Sequence, residues 1–232
     1  MSRATESRLR RDLVEVCRRL SARGLVGAGE GNVSCRLPGG RLLVTPSGAN
    51  KGYLRPADLV VVDLAGRPVR GRGWPSTELR MHLAAYQARP DVEAVVHAHP
   101  LTAVAFTVAG AAVPDDLLPE AVLVLGRIGF APFATPGTDE VPASLAPLWA
   151  GHQVILLERH GALALGRDLF QAFDRMETLE RVCQVAAVAR TLGSCEPLPE
   201  AAVRKVVEAG RALAQAASGA APRAGRRSAR RR

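Results

Sequence analysis

Residues 92–100 read Val-Glu-Ala-Val-Val-His-Ala-His-Pro, an apolar run that ends in two histidines. The run predicts a buried β-strand, and side chains two positions apart on a strand point to the same face. One divalent metal ion could therefore bind both His97 and His99. A second apolar run, Val154 to Leu157, predicts a neighbouring strand that ends just before His160. Three neutral imidazole nitrogens suit zinc, so the pattern predicts a zinc site.

A non-metal interpretation has to be weighed, because a His-x-His pair arises often and a histidine at a strand end is usually a satisfied polar residue. The chain has only five histidines, so three of them at strand ends is a concentration that favours metal binding. His152 stands in a Gly-His-Gln connection, and we expect it at the surface.

The composition predicts one globular domain with a sizeable core. The chain has 232 residues, of which 47% are apolar and 23% charged. No apolar stretch is long enough to cross a bilayer, and the N-terminus lacks the apolar core of a secretory signal. We therefore expect a cytoplasmic protein without a membrane partner. We place the domain at residues 1–217 and a disordered, arginine-rich tail at residues 218–232.

The formal net charge of +9 is concentrated near the C-terminus, since residues 223–232 carry six arginines and no acid. A short run of this kind is most often a solvated end, although it could touch nucleic acid. Aromatic residues make up only 4% of the chain, too few for the stacking platforms of single-strand binders. Nucleic acid is therefore not an expected partner.

Cysteine and lysine offer little covalent chemistry. The four cysteines have no metal-site or redox spacing, so we expect reduced, mostly buried thiols. The sequence has only two lysines, Lys51 and Lys205, and neither lies in an apolar setting that would lower its pKa. A lysine that forms an imine with a carbonyl substrate is therefore not predicted.

Hydrophobic periodicity predicts an alternation of strands and helices. A first helix carries Leu9 to Leu20 and stops at Gly24. We predict strands at residues 32–36, 41–45, 59–64, 92–96, 122–125 and 154–157, and further helices at 77–88, 101–108, after 138, at 168–192 and at 200–216. The order of these elements indicates an α/β domain in which helices cover a mixed sheet.

Three short polar segments interrupt the apolar elements and could together hold an anion: residues 29–34 (Gly-Glu-Gly-Asn-Val-Ser), 45–48 (Thr-Pro-Ser-Gly) and 75–78 (Pro-Ser-Thr-Glu). Glycines let the backbone approach a phosphate closely, and a helix that starts near the third segment would present free N–H groups. Each segment alone is more often a plain turn. The first segment does not fit the dinucleotide-binding fingerprint, because Asn32 stands where the third glycine belongs.

Seven motifs, in order and spacing, resemble the class II aldolase/adducin family over roughly Leu9 to Leu192. They are Gly31-Asn32-Val33-Ser34, Thr45-Pro46-Ser47-Gly48, Ser76-Thr77-Glu78, the helix Met81 to Tyr86 followed by Arg89-Pro90-Asp91, Ala94 to His99, Thr135-Pro136-Gly137-Thr138, and His160-Gly161. The resemblance is closest to the L-fuculose-phosphate aldolases. It implies a three-layer α-β-α domain with a central mixed, largely antiparallel sheet.

The resemblance also implies which residues form the site. Zinc would be held by His97, His99 and His160, with Glu78 as a fourth ligand that moves to acid/base work when substrate binds. The substrate phosphate would rest on Gly31 and Asn32, on Ser47 and Gly48, and on Ser76 and Thr77. The family's histidine in the following helix has no metal role, so we expect none for His82.

The activity that the resemblance implies is that of a zinc-dependent class II aldolase. Such an enzyme splits a ketose 1-phosphate into dihydroxyacetone phosphate and an aldehyde, through an enediolate whose charge zinc stabilises. Sibling reactions use the same metal and phosphate site: sugar-phosphate 4-epimerase, tetronate-phosphate decarboxylase and methylthioribulose-phosphate dehydratase. A non-enzymatic adducin-like module is the alternative from another class, although such domains are expected to lack the histidine set. The family also implies a homotetramer with active sites between subunits.

The chain departs from the family pattern four residues after Pro114. A tyrosine is expected there, reaching into the adjacent subunit to protonate the aldehyde half of the substrate, and this chain has Leu118. Glu120 is the nearest ionisable substitute. The sequence therefore does not specify which sugar phosphate is the substrate.

Overall fold

The computed structural model describes residues 3–219, with side chains from residue 5 to residue 216. Within this part of the chain, eight strands form one sheet: β1 Asn32–Leu37, β2 Arg41–Val44, β3 Val60–Asp63, β4 Pro68–Arg70, β5 Ala94–Ala98, β6 Ile128–Ala131, β7 Val154–Leu157 and β8 Gly161–Gly166. The same residues contain six α-helices: α1 Arg3–Ala22, α2 Leu79–Ala88, α3 Leu101–Val108, α4 Glu140–Leu145, α5 Leu169–Leu192 and α6 Glu200–Gly219.

The sheet has the strand order β4-β3-β2-β1-β5-β8-β7-β6. Neighbouring strands are antiparallel throughout except for β6 and β7, which run parallel. Helices α1, α3 and α5 bury apolar side chains against one face, and α2 and α4 do so against the other. This arrangement confirms the predicted α/β fold with a mixed, largely antiparallel central sheet.

The central strand β5 is buried on both faces, so its side chains alternate between the two cores. Val96 contributes to the core beneath α1, α3 and α5, whereas Val95 contributes to the core beneath α2 and α4. His97 shares the parity of Val95 and therefore lies on the α2 side of the sheet. The alternation along β5 thus brings the first predicted metal ligand towards the start of α2.

Local sequence explains why the two long helices form where they do. In α1, Leu13, Val16 and Leu20 recur at helical spacing and are fully buried, which gives the helix one apolar face. Helix α5 begins after Asp168, whose side chain accepts a hydrogen bond from the Gln171 N–H at 2.8 Å. This N-cap satisfies one of the free donors of the first turn.

One predicted strand is wrong. Ala121–Leu125 is a single π-helical turn, and the strand of this region is β6, which begins at Ile128. Ala121 and Leu125 are buried while Leu123 between them is half exposed, a pattern that suits a helical turn and not a strand, in which residues 121, 123 and 125 would share one face. A run of only four or five apolar residues does not distinguish the two.

Two element boundaries also differ from prediction, and both bear on the site. Strand β5 spans Ala94–Ala98, so His97 lies inside the strand and not after it. Helix α2 begins at Leu79 with Glu78 as its N-cap residue, and no side chain caps it. Ser76 Oγ, two residues before the helix N-cap, accepts a hydrogen bond from the Glu78 N–H at 3.2 Å.

The last described helix crosses the predicted domain boundary at residue 217. Helix α6 continues to Gly219. The remainder of the predicted arginine-rich tail, from residue 220, lies outside the described residues. Among the helices that are described, none combines the length and apolar character that spanning a bilayer requires.

The cysteines behave as predicted. All four are free thiols, and Cys17, Cys35 and Cys183 are buried. Burial raises the pKa of each of these three thiols to about 12. They are therefore protonated at neutral pH and are poor nucleophiles and poor metal ligands.

Candidate functional site

Four side chains converge at one end of the central strands: Glu78, His97, His99 and His160. Each offers one ligand atom, and these atoms all lie within 4.8 Å of one another. The His99 and His97 Nε2 atoms are 3.0 Å apart. His160 Nε2 lies 2.9 Å from Glu78 Oε1, and His97 Nε2 lies 3.4 Å from Glu78 Oε2. The structure therefore brings together all four residues that the sequence nominated as metal ligands.

Neighbouring elements of the sheet supply these side chains. His97 lies on β5, and β5 pairs antiparallel with β8, so the residues just before β8 meet the end of β5. His160 is the residue that precedes β8. Glu78 stands at the N-terminus of α2, on the same side of the sheet as His97. The third histidine thus comes from the β7–β8 turn, next to β5, as the sequence predicted for a neighbouring strand end.

Two further contacts orient the imidazole rings. His97 Nδ1 lies 3.0 Å from the Ala162 carbonyl oxygen and donates a hydrogen bond to it, which leaves the Nε2 lone pair facing the other ligands. His99 Nδ1 lies 4.0 Å from the Glu30 carboxylate. The hydrogen bond to Ala162 favours the His97 tautomer in which Nε2 is the metal-binding atom.

Backbone packing around the ligands requires glycine at two positions. Gly31 has a φ of 66°, and a Cβ there would lie 2.7 Å from the His97 carbonyl oxygen. A Cβ on Gly161 would lie 2.5 Å from the Ala98 carbonyl oxygen and 2.8 Å from the His99 ring. No side chain fits at such distances, so the absence of a Cβ lets these segments pack directly on the ligand strand.

The electrostatics of the group match the protonation states that a metal site needs. Burial acts to raise the pKa of Glu78, but the hydrogen bond from His160 and the charges of His97 and His160 outweigh it and lower the pKa well below its usual range. Burial lowers the pKa of His97 and His99, an effect to which the other imidazoles add. A carboxylate and neutral imidazoles form a donor set that fits a divalent transition metal.

The three predicted anion-binding segments lie together beside this group. Asn32 pairs with His97 across β1 and β5, and its Nδ2 donates to Glu78 Oε2 at 2.8 Å. The second and third segments are joined by a bridge between Pro46 and Pro75, and Ser47 N–H donates to the Trp74 carbonyl at 2.9 Å. Gly31, Gly48, Ser76 and Thr77 lie on these same three segments.

Asn32 has one feature that points to a missing partner. Its Oδ1 is buried and makes no hydrogen bond among the described residues, whereas its Nδ2 is bound to Glu78. A buried amide oxygen of this kind normally has a donor, so Asn32 is a group whose contacts are incomplete without an additional molecule or a rearrangement.

His82 lies outside the group of Glu78, His97, His99 and His160. It is buried, with Nδ1 2.7 Å from Ser34 Oγ, and Ser34 Oγ lies 2.8 Å from the Tyr86 hydroxyl. Burial lowers the pKa of His82 to about 4, against the opposing charge of Glu78. His152 is likewise apart from the group; its Nδ1 hydrogen-bonds the Leu148 carbonyl at 3.0 Å.

The two residues at the departure from the family pattern are not among the four ligands within this chain. Leu118 packs, partly buried, on the core beneath α5. Glu120 is exposed in a surface depression that Arg23 and Glu177 also line. Glu120 therefore does not reach the metal ligands of its own chain.

The expectation for Lys51 is wrong. The side chain is only 2% exposed, and burial lowers its pKa, although the negative charges of Glu78 and Glu30 partly offset that effect. Nothing in the flanking residues signals this, because it is α1 and the loops at Gly29 and Ala49 that enclose the side chain. The ammonium donates to two backbone carbonyls, so it is not free to attack a substrate.

Comparison with known proteins identifies relatives across most of the chain. The family model described as Class II Aldolase and Adducin N-terminal domain matches residues 11–187. L-fuculose phosphate aldolase of Methanococcus vannielii is 33% identical over 175 residues, which cover 75% of this chain and 93% of that protein. The 3-oxo-tetronate 4-phosphate decarboxylase of Cupriavidus necator is 36% identical over 186 residues, 78% of this chain and 85% of that protein. The crystal structure of YgbL from Klebsiella pneumoniae, described as a candidate aldolase/epimerase/decarboxylase, matches with a TM-score of 0.81 and 30% identity over 87% of this chain and 98% of that one.

Proposed function

The chain belongs to the class II aldolase and adducin family, and from this we propose that it is a zinc-dependent aldolase. The substrate would be a ketose 1-phosphate similar to fuculose 1-phosphate, and the products dihydroxyacetone phosphate and an aldehyde. The observation that carries the proposal is the convergence of Glu78, His97, His99 and His160 beside three anion-binding segments. A relative named L-fuculose phosphate aldolase supports the same substrate class.

The metal would be held by the three imidazoles and, without substrate, by Glu78. When bound, zinc supplies the Lewis acidity that stabilises an enediolate. The donor set also suits other divalent transition metals.

The chain's own residues would bind the phosphate and handle the proton. Gly31, Asn32, Ser47, Gly48, Ser76 and Thr77 would hold the phosphate through backbone N–H groups, hydroxyls and an amide. Glu78 is ionised, because its pKa is lowered. In the condensation direction it would accept the proton from the carbon next to the ketone, and in cleavage it would return that proton to the enediolate carbon. General acid/base help of this kind contributes about 10²- to 10⁴-fold to a rate. Asn32, which donates to Glu78, would hold the carboxylate in position.

The active assembly would be a homotetramer, as the family resemblance implies, and its expected compartment is the cytoplasm. Its active sites would lie between subunits, so a group from a neighbouring chain would complete the aldehyde side of the pocket. The sequence does not identify that group, because Leu118 stands where the family has a tyrosine.

The proposal is tested by zinc-dependent release of dihydroxyacetone phosphate from fuculose 1-phosphate and related ketose 1-phosphates. We expect release that chelation abolishes and zinc restores, and that Glu78→Gln lowers by at least about 100-fold with zinc still bound. The exposed Glu177→Gln variant is the matched control. Zinc-loaded wild type that cleaves no member of the panel would reject the aldolase assignment.

A second candidate is a sugar-acid phosphate decarboxylase on the same site. It is favoured by the 36% identity to a 3-oxo-tetronate 4-phosphate decarboxylase, together with the loss of the tyrosine at Leu118. Release of carbon dioxide from 3-oxo-tetronate 4-phosphate, without cleavage of ketose 1-phosphates, would select it. The 4-epimerase and dehydratase siblings would be separated by the same panel, from their products. The adducin-like module is disfavoured, because all four ligands are present.

A further inference from the structure

The buried ammonium of Lys51 lies between two of the anion-binding segments, and the chemistry set out above gives it no role. Its Nζ donates to the Gly29 carbonyl at 3.0 Å and to the Ala49 carbonyl at 2.7 Å. The two loops also touch directly, because a Cβ on Gly29 would lie 3.1 Å from the Gly48 carbonyl oxygen. Lys51 therefore joins two loops at the place where they meet.

The backbone around Lys51 is held in place on its other side. Lys51 opens the 3-10 turn Lys51–Tyr53, which Asn50 caps by accepting the Gly52 N–H at 2.9 Å. A Cβ on Gly52 would lie 2.8 Å from Ser21 Oγ, so the turn packs closely on the end of α1. The Lys51 backbone is thus fixed against the end of α1. The ammonium in turn fixes the positions of the two loops that it binds.

The charge of Lys51 also complements what the phosphate site lacks. The six residues proposed to hold the phosphate are neutral, and none is lysine or arginine. A phosphate monoester carries nearly two negative charges, which neutral donors alone stabilise less well than donors backed by a cation.

We propose that Lys51 is a positioning residue for the substrate phosphate. Its ammonium fastens the Gly29 loop to the Ala49 loop, so that Gly31, Asn32 and Gly48 face a single anion, and it supplies the positive charge behind their neutral donors. The inference rests on the proposed function, since it assigns a role within the same phosphate site. The ligand class is a phosphate monoester dianion.

The test uses zinc-loaded protein and inorganic phosphate as the probe. We expect Lys51→Met to weaken phosphate binding in calorimetry by at least about tenfold, with zinc affinity within about twofold of wild type. The KM for the ketose phosphate should rise by a similar factor, while kcat changes by less than about threefold. Lys205→Met, which removes the only other lysine from the exposed face of α6, should change none of these values.

The outcomes separate this inference from the proposal on which it rests. A folded Lys51→Met protein that binds phosphate as wild type does would overturn the role of Lys51 alone. The same holds if zinc affinity falls as far as phosphate affinity, because the side chain would then be a general structural support. Zinc-loaded wild type that binds no phosphate would overturn the proposed function and this inference with it.

A measurement on the wild-type side chain covers the case in which Lys51→Met does not fold. With two lysines in the sequence, lysine labelled with ¹³C at Cε gives two NMR signals, and Lys205→Met assigns them. Phosphate should shift the Lys51 signal with the midpoint found by calorimetry and leave the Lys205 signal unchanged. A Lys51 signal that does not move at saturating phosphate contradicts the inference.

Discussion

Gly161 shows how one missing side chain can decide a metal site. The residue follows His160 directly and lies against the end of β5, where a Cβ would come within 3.0 Å of the His97 ring and 2.8 Å of the His99 ring. Its neighbours at these distances are two ligand rings and a backbone carbonyl, none of which can move without changing the arrangement of the ligands. Glycine at this position therefore serves the spacing of the imidazoles.

Gly161→Ala is expected to weaken zinc binding by about 10- to 100-fold, the usual cost of disturbing the groups that orient metal ligands. Calorimetric titration of metal-stripped protein with zinc measures it. Gly151→Ala is the matched control, because a Cβ at Gly151 meets nothing within 4 Å. Equal zinc affinities for the two variants would show that the close packing at Gly161 has no bearing on the ligands.

His82 is buried in its neutral form, and this burial should make the free energy of unfolding depend on pH. The folded protein holds it neutral, since burial lowers its pKa to about 4. The unfolded chain takes up a proton near pH 6.5. Stability from this residue is therefore fully present above about pH 6.5 and is lost as pH falls towards 4, by up to about 3 kcal/mol.

Urea unfolding of metal-free protein between pH 7.5 and pH 4.5 checks this. The other histidines titrate as well, so the informative quantity is the difference between wild type and His82→Gln. We expect the free energy of unfolding of wild type to fall more steeply with acid than that of the variant. Parallel pH profiles would contradict the assignment of His82 as a neutral buried histidine.

The segment after the ligand strand depends on a carboxylate from a distant helix. Pro100 stands at the N-cap of α3 and provides no side-chain cap. The buried Glu180 of α5 instead accepts hydrogen bonds from the Thr102 and Ala103 N–H groups, each at 3.0 Å. Because α3 starts two residues after His99, this contact ties the end of the ligand strand to α5.

Glu180→Gln is expected to lower the free energy of unfolding by about 2 kcal/mol, because the amide replaces a charged carboxylate that accepts hydrogen bonds from the Thr102 and Ala103 N–H groups and from Gln184 Nε2. Chemical denaturation measures it. Glu177→Gln removes only an exposed ion pair with Arg23 and should cost less than about 0.5 kcal/mol. If both variants had the same stability, the cap on α3 would be unimportant.

Sequence patterns predicted elements best where many residues agree. The apolar face of α1, helix α3 and strand β7 were predicted correctly. A long helical periodicity defines α1, and a bounded apolar run defines α3 and β7. The run 122–125 is a π-turn, and β4 and β8 were not predicted at all. Strand β8, Gly-Ala-Leu-Ala-Leu-Gly, is made of small and helix-favouring residues, and its strand conformation depends on pairing with β5 and β7.

The candidate site was predictable for a different reason. His97 and His99 could be paired from local spacing, and His160 from the strand that precedes it, but Glu78 and the phosphate-binding residues came from the family resemblance. Lys51, Glu180 and Glu30 were missed, because their positions are set by contacts between residues far apart in the chain. No local pattern carries that information.

The fold as a whole brings these groups together through its strand order. The four ligands come from residues 78, 97, 99 and 160. The pairing of β5 with β8 makes the three histidines neighbours, and α2, packed on the same face of the sheet, brings Glu78 to them. The anion-binding segments follow from the same order, because β1 begins at Asn32 opposite His97. The placement of the candidate metal ligands beside the predicted phosphate-binding segments thus depends on the packing of the whole sheet and not on any one motif.

The most direct test of the claim that Glu78, His97, His99 and His160 form one metal site is the zinc stoichiometry and affinity of wild type and His160→Ala. Dialysis followed by metal analysis measures both. Wild type should bind about one zinc per chain, and His160→Ala should bind it more than about 100-fold more weakly while remaining folded. His152→Ala, which removes a histidine outside the group, should bind like wild type. A folded His160→Ala protein with wild-type zinc affinity, or a wild type that binds no divalent metal, would contradict the account.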